Sequence, residues 1–456
     1  MPRRKPLSYF LLIVTILAYG ILAYGVQRYE TTQLFVLYFL LFGSYAWVLK
    51  TASDKEIKFW IVAGVLFRLS LLLAIPSLSD DFYRFIWDGR LIASGYHPFA
   101  ELPGFYLQHG FNTPGVNQSL YNQLNSPEYF TIYPPFAQLI FWISVWVSPQ
   151  SIWGSVVVMK SFIIVAEVGS ILLLQKLFVR FNLNARNVLI YALNPLVILE
   201  LTGNLHFEAF MIFFILLALS LLLQNKIWQA GIAFAFSIAA KLLPIIFLPL
   251  FLIRVGFKKS FIFYGSGLVG SIILFFPLLN AEVLAGFSES FALYFKSFEF
   301  NASIYYLVRE YGYWVYGYNI IQTAGWKLGL ISAIVVLLIA LWPFQPITGG
   351  QFKFELRTYK FPGDLATIPS VMMWVMLTYF LFTTTLHPWY IATLLMLSSF
   401  TTYRFVIVWS ALIFLTYAGY TMDGFSENLY LTALEYVVVI GYLVYELIWR
   451  RKRLLY

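Results

Sequence analysis

The chain has 456 residues, 61% of them hydrophobic and only 11% charged, where an ordinary globular domain is about half apolar and a quarter charged; this excludes a soluble protein and assigns most of the chain to lipid. The absence of cysteine excludes a disulfide, a thiolate nucleophile and a thiolate metal site. The 30 Lys and Arg against 21 Asp and Glu gather in short loops and at both ends, which is the pattern of cytoplasmic anchoring and implies no nucleic acid.

Apolar runs of spanning length predict helices near 8–27, 33–50, 58–77, 156–176, 186–202, 207–224, 227–253, 261–279, 327–344, 366–386, 389–403, 405–421 and 430–449. The fold class is therefore all-α: a polytopic transmembrane protein of about 12–14 membrane segments in one domain, 1–456. The run from Leu7 to Val26 is longer than a signal-peptide core and lacks a small-residue cleavage site before Gln27, so it reads as a retained first helix. Placing the clusters Arg3–Lys5, Lys50–Lys58, Lys176–Arg186, Arg254–Lys259, Lys353–Lys360 and Arg450–Arg453 in the cytoplasm puts both termini inside.

Two stretches do not fit simple counting. The run Ile227–Leu252 carries Lys241 and Pro244 near its middle, which predicts two short helices meeting at a break. Pro134–Val147 reads as re-entrant or tilted, and irregular backbone at membrane depth is tolerated only inside protein or beside a wet cavity. A cavity opening outward is the expectation. Polar and aromatic residues then collect on that face: the first outer loop 79–132, the turn 203–208, the segment 280–326, the turn at His387 and the stretch 423–428.

Within the outer loop, Ser79 or Asp80 caps a predicted helix that Gly95 and Pro98 end, with Phe82, Phe85, Ile86, Gly89 and Ile92 along one face. Asp81, Arg84 and Asp88 share the other face, with Arg90 nearby. The expectation is an amphipathic juxtamembrane helix on the membrane surface, held by its Asp/Arg pairs. Adjacent carboxylates also suit one of them to accept a proton. Lys241 stands alone in an apolar run at a cost of about 3 kcal/mol, which marks an intramembrane charge as functional unless it snorkels or binds a helix-end carbonyl. Neither His97 nor His109 has metal-ligand spacing to another histidine. No cofactor is required, although Asp80 and Asp81 can ligate a divalent metal.

The string Asp80-Asp-Phe-Tyr-Arg-Phe-Ile-Trp-Asp-Gly-Arg90, then Gly95 to Phe99, then Tyr133-Pro-Pro135 resembles the first outer loop of the GT-C superfamily of membrane glycosyltransferases, in particular bacterial polyprenol-phosphate-mannose-dependent mannosyltransferases. Asn194-Pro195, Asn204 to Glu208, Lys241 to Pro244, Asn301 to Ser303 and His387 to Tyr390 extend the likeness along the chain. The resemblance implies a GT-C fold in a bacterial plasma membrane and an inverting transfer of a hexose, mannose in the first instance. It implies a polyprenyl-phosphate donor and a glycan, lipid or protein acceptor on the outer side. It makes Asp81 or Asp80 the general base, with Asp81 preferred because Asp80 is better placed as a cap. Lys241, with Arg84, Arg90 and Arg309, supplies charge to the leaving phosphate. Tyr133, His206, Glu208, Asn301 and His387 complete the expected substrate contacts. Two other classes remain open: an O-antigen ligase or polymerase using a lipid diphosphate, and a lipid or solute transporter.

Overall fold

The computed structural model describes residues 6–453 apart from 109, 112, 279, 281–282, 290–297, 342–345, 348–350 and 353–364. The clusters Arg3–Lys5 and Lys353–Lys360 and His109 thus lie outside the described residues. The protein is an all-α polytopic membrane protein. Among the described residues, seven helices are long and apolar enough to cross a bilayer: α1 (Pro6–Gly25), α2 (Thr31–Thr51), α6 (Ile152–Arg180), α10 (Phe257–Phe275), α12 (Ile321–Leu341), α13 (Ile368–Phe382, counted with the turn Leu365–Thr367 that leads into it) and α16 (Leu429–Arg453). Between them run shorter helices: α3 (Ile57–Ser70), α4 (Asp81–Ala93), α5 (Pro135–Val147), α7 (Glu208–Leu223), α8 (Ile227–Ala240), α9 (Leu248–Arg254), α11 (Ile304–Tyr316), α14 (Ile391–Ser398) and α15 (Phe405–Leu412). α7 and α8 pack together, α7 also against α6 and α8 against α10, while α10 leaves Phe261 and Ile273 exposed, as a lipid-facing helix does.

Buried charges set where several helices stop. α3 ends at Ser70, seven residues short of the predicted end, because Lys160 Nζ from α6 caps the freed carbonyls of Leu71 (3.0 Å) and Ala74 (2.7 Å). One turn deeper, Arg68 pairs with Glu167 at 2.8 Å and donates to the carbonyls of Gly64 and Ala192; Thr202 donates to the other Glu167 oxygen. Every charge in this group has a partner, as burial in low dielectric demands.

The predicted helix 186–202 is broken. Asn194 Oδ1 accepts from the amides of Leu196 and Val197, Pro195 starts a new turn, and Ile198–Gly203 winds as a π-helix. The chain then bends by 112° into α7. Leu205 sits in that bend at φ 64°, a left-handed conformation that is costly for a bulky residue. The other expected break is present: α8 ends at Lys241, whose backbone is extended (φ −157°, ψ 135°), before the turn that leads into α9.

α4 departs from expectation. It does not lie on a surface, because residues 84–91 are all buried, Asp88 completely. It packs on α5 so closely that a Cβ on Gly89 would meet the Phe141 carbonyl oxygen at 2.6 Å. Its Asp/Arg face is consumed internally: Arg84 Nε donates to Asp88 at 2.9 Å, and Gln138 of α5 donates to the other Asp88 oxygen at 2.9 Å. At about 1.5 Å per residue the 13-residue α5 spans about 20 Å, less than the roughly 30 Å hydrocarbon core.

Candidate active site

A cavity of about 330 Å³ lies where the first turn of α4, the bend before α7, the end of α8 and the turn between α13 and α14 meet. Asp81, Arg84, Tyr133, His206, Glu208, Lys241 and His387 all line it. These residues come from five separate stretches of sequence, and the helix breaks bring them together.

On one wall, Asp81 opens α4 with its carboxylate accepting a hydrogen bond from Asn125 at 2.6 Å. Placing an anion in the first turn of a helix is favourable, since the free amides there carry partial positive charge. Arg84 lines the same wall but its donors are engaged by Asp88 and by the Tyr129 carbonyl at 3.0 Å. It ties the outer loop to α4. Asp80 occupies the cap position without a side-chain cap hydrogen bond, which corrects the expectation of a capping role. Its carboxylate is held instead by Arg28 at 2.6 Å, in the turn between α1 and α2. It does not line the cavity.

The end of α8 brings Lys241 to the same cavity. Because α8 terminates there, its side chain leaves the helix axis and reaches Glu208 Oε1 at 2.9 Å, while its ammonium lies 5.3 Å from the Tyr390 ring centre. The lysine is therefore paired rather than isolated, and its partner is the carboxylate in the first turn of α7. Glu208 Oε2 and His206 Nε2 are buried without a hydrogen-bond partner among the described residues. His206 Nδ1 contacts the Glu200 carbonyl at 2.8 Å, so that nitrogen carries the proton and Nε2 presents its lone pair in the neutral ring. His206, Trp389 and His387 form one stack, with centroid separations of 3.7 and 4.4 Å and planes within 14°. Burial, with help from Lys241 and His206, pushes the His387 imidazole down to about 3, so it is neutral near pH 7.

The outer segment closes the site. Phe300 bridges to Thr385 in parallel fashion, through hydrogen bonds with Thr384 and Leu386. This places Glu299 in the lining, where Arg309 (2.8 Å), Tyr305 (2.8 Å) and Asn319 (3.2 Å) hold its carboxylate. Arg309, expected as a direct contact, holds Glu299 and does not itself line this cavity. Asn301 is likewise behind the wall, with its amide nitrogen on Glu435 at 3.1 Å. Arg90 is on the far side of α4, bound to the Gly115 carbonyl at 2.6 Å. These three do not line the cavity that Asp81 and Lys241 share. Sequence reasoning missed Glu299, Asn125 and Gln138. Only Glu299 had a signal, two residues before the Asn301 motif. Among the described residues no group of three His, Asp or Glu converges as a metal site.

What remains is a carboxylate at a helix start and a lysine–carboxylate pair lining one aromatic pocket, a set suited to taking a proton from a hydroxyl and neutralising an anion. None of the curated proteins compared with the chain matches it. The family model described as alpha-(1->6)-mannopyranosyltransferase, N-terminal domain, of the MptA_B family matches residues 11–256. That stretch runs from α1 through α9 and contains Asp81, His206, Glu208 and Lys241, so the chain belongs to the MptA_B mannosyltransferase family and is a membrane glycosyltransferase.

Proposed function

We propose that the protein transfers mannose from a polyprenyl phosphate to a glycan or lipid acceptor, with inversion, at the outer face of a bacterial plasma membrane. The carrying observation is that Asp81 and the Lys241–Glu208 pair line one cavity. In this reading Asp81 takes the proton of an acceptor hydroxyl as that oxygen forms its bond to the anomeric carbon. The bond from that carbon to the phosphate oxygen breaks, and Lys241 neutralises the charge left on the lipid phosphate. The family description specifies an alpha product; inversion then calls for a beta-linked donor. Glu208 Oε2 and His206 Nε2, both without partners among the described residues, supply acceptors for sugar hydroxyls. No cofactor takes part in this scheme. The orientation rests on the basic clusters, which put both termini in the cytoplasm.

The test is a transfer assay of purified protein with synthetic beta- and alpha-linked mannosyl phosphates and a mannosyl diphosphate of one polyprenol, reading product linkage by NMR. Consumption of the beta-linked monophosphate alone, with an alpha-linked product, is expected. Preference for the diphosphate would move the protein to the lipid-diphosphate class, and an alpha-linked donor giving an alpha product would exclude inversion.

A further inference from the structure

A second cavity, of about 740 Å³, lies behind the first, within the range of roughly 300–1,000 Å³ of ligand sites. At about 100° per residue, Tyr83 and Arg90 project from the side of α4 opposite Asp81, Arg84 and Phe85. The stretch 120–126 also serves both, with Leu120 and Gln123 on the second cavity and Asn125 and Ser126 on the first. One short helix turn and one strand of loop therefore form a wall common to the two.

The lining has a definite chemistry. Ser94, Ser119, Gln123 and Gln150 make no side-chain hydrogen bond among the described residues, and Ser119, Gln123 and Gln150 stand exposed at the rim. Arg90 forms the floor, 5% exposed. Its terminal nitrogens are committed to the carbonyls of Gly115 (2.6 Å) and Pro149 (3.4 Å), while its Nε is buried with no partner among the described residues. Gly115 makes this close approach possible: at φ 78° it tolerates the turn, and a Cβ there would lie 2.8 Å from the guanidinium. Among the described residues no carboxylate and no lysine lines the cavity, so a bound cation has no counter-charge and a phosphate has one committed arginine. Uncommitted amides and hydroxyls with a tyrosine ring suit a chain of neutral sugar hydroxyls.

We propose that this second cavity is an acceptor subsite for the neutral saccharide portion of the glycan, which rests on the transferase reading above. It holds sugar units beyond the one whose hydroxyl reaches Asp81.

The test uses the full chain in detergent and an alpha-(1→6)-linked mannotetraose without donor, followed by saturation-transfer NMR. Expected are saccharide contacts in the wild type that vanish in Ser119→Trp and in Gln123→Trp, both rim substitutions that leave the melting temperature in place. In the transfer assay the same variants raise the tetraose KM about tenfold, the worth of one or two neutral hydrogen bonds, with donor Kd unchanged. Undiminished contacts in both variants, absence of contacts in the wild type, or displacement of the tetraose by inorganic phosphate would each overturn the assignment. Rim-dependent tetraose binding without any transfer from mannosyl phosphate would sustain the subsite and sink the donor reading, so the two failures are distinguishable.

Discussion

Lys241 Nζ lies 2.9 Å from Glu208 Oε1, joining the broken end of one membrane helix to the first turn of another. The glutamate is buried while the lysine keeps a fifth of its side chain accessible on the cavity side. The cation is thus placed to exchange one anionic partner for another.

Removing one member of this pair has two separable effects. Lys241→Ala leaves Glu208 buried without its counter-charge and should cost about 1–3 kcal/mol of stability, whereas Lys241→Met with Glu208→Gln should recover most of it. Donor affinity should fall in both, by about 2 kcal/mol or some thirtyfold in Kd. Melting temperature and Kd for polyprenyl-phosphate mannose decide the matter. Wild-type Kd in the double variant would make the pair purely structural.

Asp81→Asn should lower single-turnover transfer at saturating donor by roughly 100-fold to 10,000-fold, because the amide keeps the Asn125 neighbourhood but takes no proton. Asp80→Asn removes a partly exposed ion pair with Arg28, worth at most about 1 kcal/mol, and should keep most activity. The reverse ranking would transfer the base role to Asp80.

Protonation of His387 should govern acid sensitivity. Its folded value, about 3, lies below the ordinary value near 6.5. Above pH 6.5 neither state binds the proton and nothing is lost. Between pH 6.5 and 3 only the unfolded chain binds it, so stability falls by up to about 1.4 kcal/mol per pH unit. Melting temperatures from pH 7 to 4 should therefore drop more steeply in the wild type than in His387→Gln; parallel curves would refute this.

Orientation is open to labelling, since the chain has no cysteine of its own. Gln118→Cys and Asp423→Cys, both exposed, should react with an impermeant maleimide on intact cells. Lys55→Cys, also exposed, should react only after permeabilisation. Outside labelling at 55 would invert the topology.

How much of this was legible depended on the cost of each residue where it stands. Lys241 stood out because charge within a long apolar run is expensive, and Asp81, His206 and Glu208 because the outer-loop helix and the polar turn that carry them resemble the family's motifs; each lines the cavity. The break at Lys241 was readable from the charge and Pro244. The bend at Leu205 was not, since a leucine gives no hint of left-handed backbone. Local pattern favoured Asp81 over Asp80 but gave Asp80 a cap in place of its true partner, because Arg28 belongs to a turn two helices earlier. The burial of α4 was hidden for a similar reason: Gln138, which satisfies Asp88, lies fifty residues away. Arg90 and Arg309 were grouped with the donor site as further cations and Asn301 through the family likeness, and partner geometry is what keeps all three out of the first cavity's lining.

The parallel bridge between Phe300 and Thr385 has an evolutionary consequence. The proposed base and phosphate cation both fall within the family-matched residues 11–256, whereas Phe298, Glu299, Phe300, Thr385, Trp389 and Phe425 enclose them from the later part of the chain. The proposed reacting groups and this part of their enclosure thus lie on different segments, while Tyr129, Phe130 and Tyr133 enclose them from within the matched residues. Drift in the later segment can reshape that part of the first cavity without touching Asp81 or Lys241, so divergence there should alter which group is admitted beside them while the reaction type persists.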